Sequence, residues 1–389
     1  MRRVVEISKA PWCDPPVPNC RIPTHQSIGH GFGYTTERTT WDNGAAMERS
    51  ARSGSQWYRI VLAEFREAAP EVNMTNPIAV LDDYQQVAAG CADWSAIPDA
   101  DVTFFSDHLS NLDALAERLR PFEIIGIMRE RTPFPAELLR RLPSLRLLIT
   151  TGRRNAAIDV DAATELGITV CGTPSQGHAT AELAFGLILD LARGLTQQVL
   201  SVRGGGWQRG LGRDLRGAML GLLGLGRLGS QVAGFGLAFG MEVCAWSENL
   251  TSGRAAEVGV RAVSKRELFA SSDFISIHLQ LSDRTVGLVG SKELALMKPD
   301  AYLVNTSRAA IVDEDTLATA LQEGRIAGAA LDVFGEEPLP IGHRLRNMPG
   351  VLTTPHIGYV TRETYQIFFH GMVDAIVAFL EGTPIHVIV

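Results

Sequence analysis

The sequence is poor in cysteine, in long apolar runs and in positive charge. Its five cysteines among 389 residues are odd in number and scattered, which argues against a disulfide framework and favours a reducing compartment. No apolar run approaches the roughly 20 residues that a membrane span needs, and no apolar block follows the first residues as in a secretory signal. The net charge of −7 lacks the positive excess of a nucleic-acid-binding surface. These absences predict a cytoplasmic globular protein with neither nucleic acid nor membrane as a partner.

The first 73 residues differ in composition from the rest of the chain. They are rich in Pro, Gly and Ser and lack helical or strand periodicity, so we predict a disordered extension. Within them Cys13, Cys20, His25 and His30 have a spacing that fits no common zinc finger, and no metal site is predicted. One hypothesis is that translation starts at Met74, where the character of the sequence changes.

From Met74 onward, short apolar runs alternate with segments of helical periodicity. The first series runs from "PIAVLDDY" through "VTFFS", "LDALAERLR", "EIIGIM", "FPAELLRRL" and "LRLLITTG" to "ITVCGTP". A long apolar helix is predicted over 180–203, buried in part in a dimer interface. A second series runs from "AMLGLLGLG" to "VLTTPHIG", and a helix over 364–382 closes the chain. This rhythm predicts two parallel sheets with helices on their faces.

The second series opens with a glycine cluster, in which Gly224, Gly226 and Gly229 spell G-x-G-x-x-G. Alone the pattern is weak, and a glycine-rich turn between packed elements would also produce it. Here an apolar strand precedes it and a helix-compatible run follows, which is the context of a dinucleotide-binding turn. The helix N-terminus would supply free N–H groups for the phosphates. At the end of the next predicted strand, Ser247 and Glu248 stand where an acid binds the adenosine ribose.

Three loops at later strand ends carry side chains suited to catalysis. Arg308 follows one strand, Asp332 with Glu336 and Glu337 follows the next, and His356 follows the last. Taken singly, each could be a surface ion pair, an acidic turn or a structural histidine. Because ligands bind outside the carboxyl ends of parallel strands, we expect these groups to gather at one crevice.

These motifs resemble the D-isomer-specific 2-hydroxyacid dehydrogenase family, over residue 76 to the C-terminus. The resemblance rests on "GLLGLGRLG", "VNTSRAAIVDE", "ALDVFGEEPLP" and "TPHIG" in this order, with "TTGRRNAAID" and "ATAELAFGLILDLAR" before them. It implies a doubly wound α/β fold of two Rossmann-like lobes. A cofactor lobe (177–357) is inserted into a discontinuous substrate lobe (74–176 and 358–389). It also implies an NAD(P)-dependent oxidoreductase and a homodimer.

The resemblance further implies the roles of the catalytic residues. His356 is expected to donate a proton to the carbonyl oxygen of a 2-oxo acid, and in oxidation to accept it. Glu337 is expected to hydrogen-bond the other ring nitrogen. Arg308 is expected to hold the substrate carboxylate together with backbone N–H groups around Arg153 and Arg154.

A larger set of residues is implied to contact the cofactor. These residues are Thr180, Gly224, Gly226, Arg227, Leu228, Gly229, Ser247, Glu248, His278, Thr306, Ser307 and Asp332.

The chain departs from the family pattern at several positions. Ala309 and Ala310 follow Arg308 where the family often has glycine, and Arg153 and Arg154 replace small residues. These arginines either favour an anionic or larger substrate or face solvent. Many NAD-using members have Asp where this chain has Ser247, whereas NADP-using members tend to have Ser or Arg. Glu248 would repel a 2′-phosphate, so we predict NAD, with NADP, aided by Arg254, as the alternative.

Several functional alternatives stay open at this point. Glyoxylate, hydroxypyruvate and 3-phosphohydroxypyruvate all fit the predicted catalytic residues. Formate dehydrogenase shares the architecture, but it would call for glutamine at Glu337. An NAD(H)-sensing protein, like the corepressors built on this fold, would keep similar residues. The chain closes at Val389, and we expect no C-terminal regulatory domain.

Overall fold

The computed structural model of the protein describes residues 75–389. The predicted extension over 1–73, the Cys13–His30 pattern and the predicted start at Met74 lie outside these residues. Across 75–389, no helix is both long and apolar enough to cross a membrane.

The first sheet has five parallel strands in the order β2-β1-β3-β4-β5. The central strands β3 and β4 consist of four buried residues each, as expected for strands covered by helices on both faces. The elements of this part are β1 (Asn76–Val80), α1 (Ala88–Cys91), β2 (Ala100–Phe104), α2 (Leu112–Leu119), β3 (Ile124–Ile127), α3 (Ala136–Leu139), β4 (Leu147–Thr150), α4 (Val160–Glu165) and β5 (Thr169–Gly172).

The second sheet has seven parallel strands in the order β8-β7-β6-β9-β10-β11-β12. Chain order reverses between β6 and β9, which is the switch point where doubly wound sheets bind ligands. In the first sheet the corresponding reversal lies between β1 and β3. The elements after β5 are α5 (His178–Arg193), α6 (Leu195–Arg203), β6 (Met219–Leu223), α7 (Arg227–Ala238), β7 (Glu242–Trp246), α8 (Ser252–Ala256), β8 (Arg261–Ala262), α9 (Lys265–Ser271), β9 (Phe274–Ile277), α10 (Ser291–Leu294), β10 (Tyr302–Asn305), α11 (Glu314–Gln322), β11 (Gly328–Leu331), β12 (Val351–Thr353) and α12 (Arg362–Leu380).

The C-terminal helix α12 packs against the first sheet although it follows the second in the chain. The Thr361 side chain caps its start by accepting a hydrogen bond from the backbone N–H of Thr364. Phe368, Phe369 and Met372 on its inner face belong to the core built on β1, β3 and β4. Two parallel α/β lobes, one of them completed by this returning helix, confirm the predicted fold class.

The single helix predicted over 180–203 is wrong. Gly194 has φ of 60°, in the left-handed region that glycine adopts readily, and it ends α5 before α6 begins. The Asp190 carboxylate accepts hydrogen bonds from the N–H and hydroxyl of Thr196 and so stabilises the break. The apolar periodicity of the sequence continues through Gly194, so the periodicity alone could not show that one helix ends there and another begins.

The two lobes are joined by two crossover segments, one before α5 and one before α12. The hydroxyl of Thr180, in the first turn of α5, donates a hydrogen bond of 2.8 Å to the carbonyl oxygen of Gly358. This bond ties the outgoing crossover to the returning one, beside the loop that carries His356.

Candidate active site

The glycine turn between β6 and α7 is built so that backbone groups replace side chains. Gly224 has φ of +99°, and a Cβ there would lie 2.8 Å from the carbonyl oxygen of His278. A Cβ on Gly229 would lie 2.0 Å from the carbonyl oxygen of Gly224, so the third glycine lets the helix approach the turn. Gly226 is exposed, and a Cβ there would meet no heavy atom within 4 Å. An open second glycine at a helix N-terminus fits a pyrophosphate that approaches the backbone.

In the loop after β10, one buried hydroxyl lacks a hydrogen-bond partner among the described residues and a second one is bonded to the backbone. Thr306 is 6% exposed, and its hydroxyl has no hydrogen-bond partner among the described residues. The Ser307 hydroxyl donates to the carbonyl oxygen of Leu279 at 2.5 Å. Ser247 is partly buried and Glu248 is exposed directly after β7. This set fits a dinucleotide, with the orphaned Thr306 hydroxyl as a polar contact that a bound ligand would satisfy.

Arg227 and Leu228 lie against the outgoing crossover. A Cβ on Gly177 would be 2.9 Å from Nη2 of Arg227 and 3.0 Å from a methyl carbon of Leu228. His278 makes a 2.9 Å contact between its Nε2 and the Ser276 hydroxyl, and burial lowers its pKa to about 4. His278 is therefore neutral at physiological pH.

The structure brings His356 and Glu337 together. Nδ1 of His356 lies 2.6 Å from Oε2 of Glu337, and the N–H of Phe334 donates to Oε1 of Glu337 at 2.9 Å. His356 itself has φ of 52°, a strained value for a residue other than glycine. The contact fixes one ring nitrogen against a carboxylate and leaves Nε2 for a reacting group.

Asp332 is fully buried, and its hydrogen bonds go to the loop that carries His356. Oδ1 accepts from the Thr354 hydroxyl at 2.6 Å and from the N–H of Ile357 at 2.8 Å, and Oδ2 accepts from the N–H of Gly358 at 2.9 Å. Burial raises the pKa of Asp332 in spite of these bonds. Its position therefore orients the loop, while the cofactor contacts expected of Asp332 and Thr180 stay predictions.

Arg308 makes a contact that was not predicted from the sequence. Its Nη2 donates to Oε1 of Glu130 at 2.7 Å, and its Nη1 donates to the Ser307 carbonyl oxygen at 2.8 Å. Glu130 follows β3 of the first sheet, so this ion pair spans the two sheets. The guanidinium is one third exposed and can still reach a ligand in the crevice.

Arg153 and Arg154 are exposed, in the loop after β4. Their backbone N–H groups donate to no other residue of the described part of the chain, whereas the N–H of Gly152 donates to the Thr173 hydroxyl. The loop can therefore offer two N–H groups to a carboxylate, and its role in substrate binding stays a prediction. The alternative that these two side chains simply face solvent stays open.

Four residues around the crevice were missed by sequence reasoning: Tyr84, Glu130, Arg131 and Tyr359. The buried Arg131 guanidinium lies 4.4 Å above the Tyr84 ring and 5.4 Å from the Tyr359 ring centroid. Tyr359 is 9% exposed, stacks edge-on against His356 at 5.5 Å, and its hydroxyl has no partner in the described residues. The run "MRERT" after an apolar strand was the available signal for Glu130 and Arg131, since ligands bind at the carboxyl ends of parallel strands.

The fold and the turn define a dinucleotide-binding α/β protein with a histidine–carboxylate pair and an arginine beside the nucleotide turn. The family model described as "D-isomer specific 2-hydroxyacid dehydrogenase, NAD binding domain" matches residues 185–358. A glyoxylate reductase from Aeropyrum pernix is 43% identical over 256 residues, which are 63% of this chain and 76% of that protein. A D-3-phosphoglycerate dehydrogenase from Bacillus subtilis is 34% identical over 297 residues, 76% of this chain and 54% of that one.

Solved structures lead to the same family. A phosphoglycerate oxidoreductase from Vibrio cholerae superposes with a TM-score of 0.76 at 40% identity, covering 79% of this chain and all of that one. The chain belongs to the D-isomer-specific 2-hydroxyacid dehydrogenase family. It is an NAD-dependent oxidoreductase, and its reaction is hydride transfer between the nicotinamide and C2 of a 2-hydroxy or 2-oxo acid.

Proposed function

We propose that this enzyme reduces a small, unphosphorylated 2-oxo acid to the D-2-hydroxy acid, with His356, Glu337 and Arg308 as the catalytic residues. The observation that supports this most strongly is the 2.6 Å His356–Glu337 contact at the sheet edge that also carries Arg308. Bound NADH supplies the hydride that reaches C2. Protonated His356 gives its Nε2 proton to the carbonyl oxygen, so the carbonyl gains one hydride and one proton.

Glu337 acts on the reaction through His356. Its carboxylate accepts a hydrogen bond from the Nδ1–H of His356, which fixes the ring orientation and places a negative charge beside the ring. Because Phe334 holds the other carboxylate oxygen, the pair is held in place from both sides. Arg308 then holds the substrate carboxylate and polarises the carbonyl that receives the proton.

The division of labour follows the two sheets. We assign 74–176 with 358–389 to substrate binding and 177–357 to the cofactor. Support comes from the β1–β5 sheet with its returning helix α12 on one side and the glycine turn on the other. The proposed cofactor contacts are the implied set, with Ser247 and Glu248 at the adenosine ribose, and the backbone around Arg153 and Arg154 cradles the substrate carboxylate.

A homodimer is part of the proposal. Helix α6 and the loop after it expose large apolar side chains: Leu195, Val199, Leu200, Val202, Trp207 and Leu211. An apolar surface of this extent is typical of a protein–protein interface, and a second copy of the chain is the family expectation. Sedimentation should show a dimer that Leu200→Asp dissociates. The control Leu166→Asp, at an exposed leucine after α4, should stay dimeric; dissociation by both or by neither would contradict this surface.

We also place the enzyme in the cytoplasm. Cys91, Cys171 and Cys244 are free thiols in the described part of the chain, as expected in a reducing compartment. Cell fractionation of the native source tests this, and enzyme recovered with secreted proteins would contradict it.

The function is tested by initial rates of reduced-cofactor loss with glyoxylate, hydroxypyruvate and 3-phosphohydroxypyruvate, with NADH and NADPH side by side. We expect turnover of an unphosphorylated acid with NADH. A tenfold preference for NADPH would overturn the ribose assignment to Glu248. Cofactor binding without turnover of any acid would favour the NAD(H)-sensing alternative.

A further inference from the structure

Glu130 lies at the switch point of the first sheet. It follows β3, next to the loop that follows β1, where the strand order of this sheet reverses. Oε1 of Glu130 lies 2.7 Å from Nη2 of Arg308. A substrate bound to Arg308 therefore has this carboxylate as its immediate neighbour.

One oxygen of Glu130 is left over. Oε2 is buried and has no hydrogen-bond partner among the described residues, and Nε of Arg129 lies 3.6 Å from it. Burial raises the pKa of Glu130, but the guanidinium groups of Arg129 and Arg308 outweigh burial and leave it below its usual value. Glu130 is thus an ionised carboxylate whose buried Oε2 has no hydrogen-bond donor among the described residues.

The order of the strands indicates which end of the substrate meets Glu130. Neighbouring loops along the sheet edge follow β4, β3 and β1, in that order. The β4 loop holds the proposed carboxylate cradle, and Arg129 packs against it by donating to the Thr151 carbonyl oxygen at 3.2 Å. With the substrate carboxylate held by the β4 loop and Arg308, we place the group on C3 toward the loops after β3 and β1.

We propose that Glu130 is the specificity-determining residue of this enzyme: its carboxylate accepts a hydrogen bond from a hydroxyl on C3 of the 2-oxo acid and repels a phosphate there. The inference rests on the proposed function, because Arg308 must hold the substrate for Glu130 to meet C3. The charge of Glu130 therefore adds a cost for a 2-oxo acid that carries a phosphate on C3. The preferred substrate class is accordingly the 3-hydroxylated, unphosphorylated 2-oxo acids.

The test compares kcat/KM of three probes in wild type and two variants. Glu130→Ala removes the acceptor, so hydroxypyruvate should lose at least tenfold relative to glyoxylate, which has no C3. Glu130→Gln keeps the shape and removes the charge, so 3-phosphohydroxypyruvate should gain at least tenfold relative to hydroxypyruvate. The control Glu123→Gln, at an exposed carboxylate paired with Arg146 far from the crevice, should change neither ratio.

The outcomes separate the two proposals. If wild type and variants reduce glyoxylate but neither ratio changes, the role of Glu130 is wrong and the proposed function stands. If wild type reduces no 2-oxo acid, the proposed function fails and the role of Glu130 fails with it. Binding of NADH by each variant, followed by fluorescence, shows that a lost activity is not a lost fold.

Discussion

The edges of the two sheets differ in how their polar side chains are held. On the second sheet, Glu337 contacts the His356 ring, and Asp332 accepts hydrogen bonds from residues on both sides of His356. In the lobe of the first sheet, Glu130 and Tyr359 each leave a buried polar atom without a partner in the described residues, as Thr306 does after β10 of the second sheet. Side chains whose hydrogen bonds are all made within the protein hold a catalytic group in one orientation. A buried polar atom without a partner can instead form its hydrogen bond with a ligand. We infer that the second sheet carries the chemistry and the first selects the substrate.

Backbone strain is shared by both edges. Asp82 and Arg129 on the first sheet and His356 after the second have φ of 58°, 54° and 52°, values that cost energy for residues with a Cβ. On the first edge, Asp82 is held by the Thr132 hydroxyl at 2.7 Å and by His108 at 3.1 Å. Strained backbone conformations therefore occur on both sides of the crevice, and contacts such as those of Asp82 hold them in place.

Loss of the acid–base group on the second sheet is the largest effect that we predict. His356→Ala should lower kcat by a hundredfold or more, because the variant lacks the proposed proton donor. Steady-state rates with the best 2-oxo acid measure it. His370→Ala, at an exposed histidine of α12, is the control and should remain near wild type. Near-normal turnover of His356→Ala would show that His356 is not the acid–base group and would contradict the assignment of catalysis to the second sheet.

A smaller effect is predicted for the glycine turn between β6 and α7. Gly226→Ala adds a methyl group where the structure shows open space, so the fold should keep its stability while the Kd of NADH rises about tenfold, since the methyl occupies the approach of the pyrophosphate. Gly234→Ala, on the same helix and equally unobstructed, is the matched control and should leave the Kd unchanged. Equal Kd values for both variants would show that the cofactor does not bind at this turn.

The smallest predicted effect concerns stability against pH. Burial lowers the pKa of His278 to about 4 from the 6.5 of an exposed histidine, so below pH 6.5 the unfolded chain binds a proton that the fold does not. Stability is then lost as pH falls, by about 1 kcal/mol between pH 6.5 and 5.5. Denaturant unfolding of wild type and His278→Gln should show this loss in wild type only, with His370→Gln as control. Parallel curves would show that His278 is not buried neutral.

The sequence predicted the structure correctly where a short motif by itself determines the local backbone conformation. The alternation of apolar runs predicted both sheets, since parallel strands buried on two faces read as continuous apolar segments such as "IIGI" and "LLIT". The G-x-G-x-x-G turn was predictable because each glycine answers a backbone constraint that the structure shows at Gly224 and Gly229. The family confirmed by the comparisons rests on the same motifs.

What the sequence could not show depends on pairs far apart in the chain. Glu130 and Arg308 are 178 positions apart, and only the packing of two sheets reveals that they touch. The orphaned hydroxyl of Tyr359 is visible only once its surroundings are known. The break at Gly194 was missed for a local reason, because apolar periodicity continues on both sides of a turn that changes only the helix axis.

The central claim is that these two edges cooperate in hydride transfer to C2 with one stereochemical outcome. The most direct measurement reduces hydroxypyruvate with NADH that carries two deuterium atoms on C4 and determines where the deuterium resides and which isomer forms. We expect D-glycerate with deuterium on C2. L-glycerate, or a product without deuterium at C2, would contradict it.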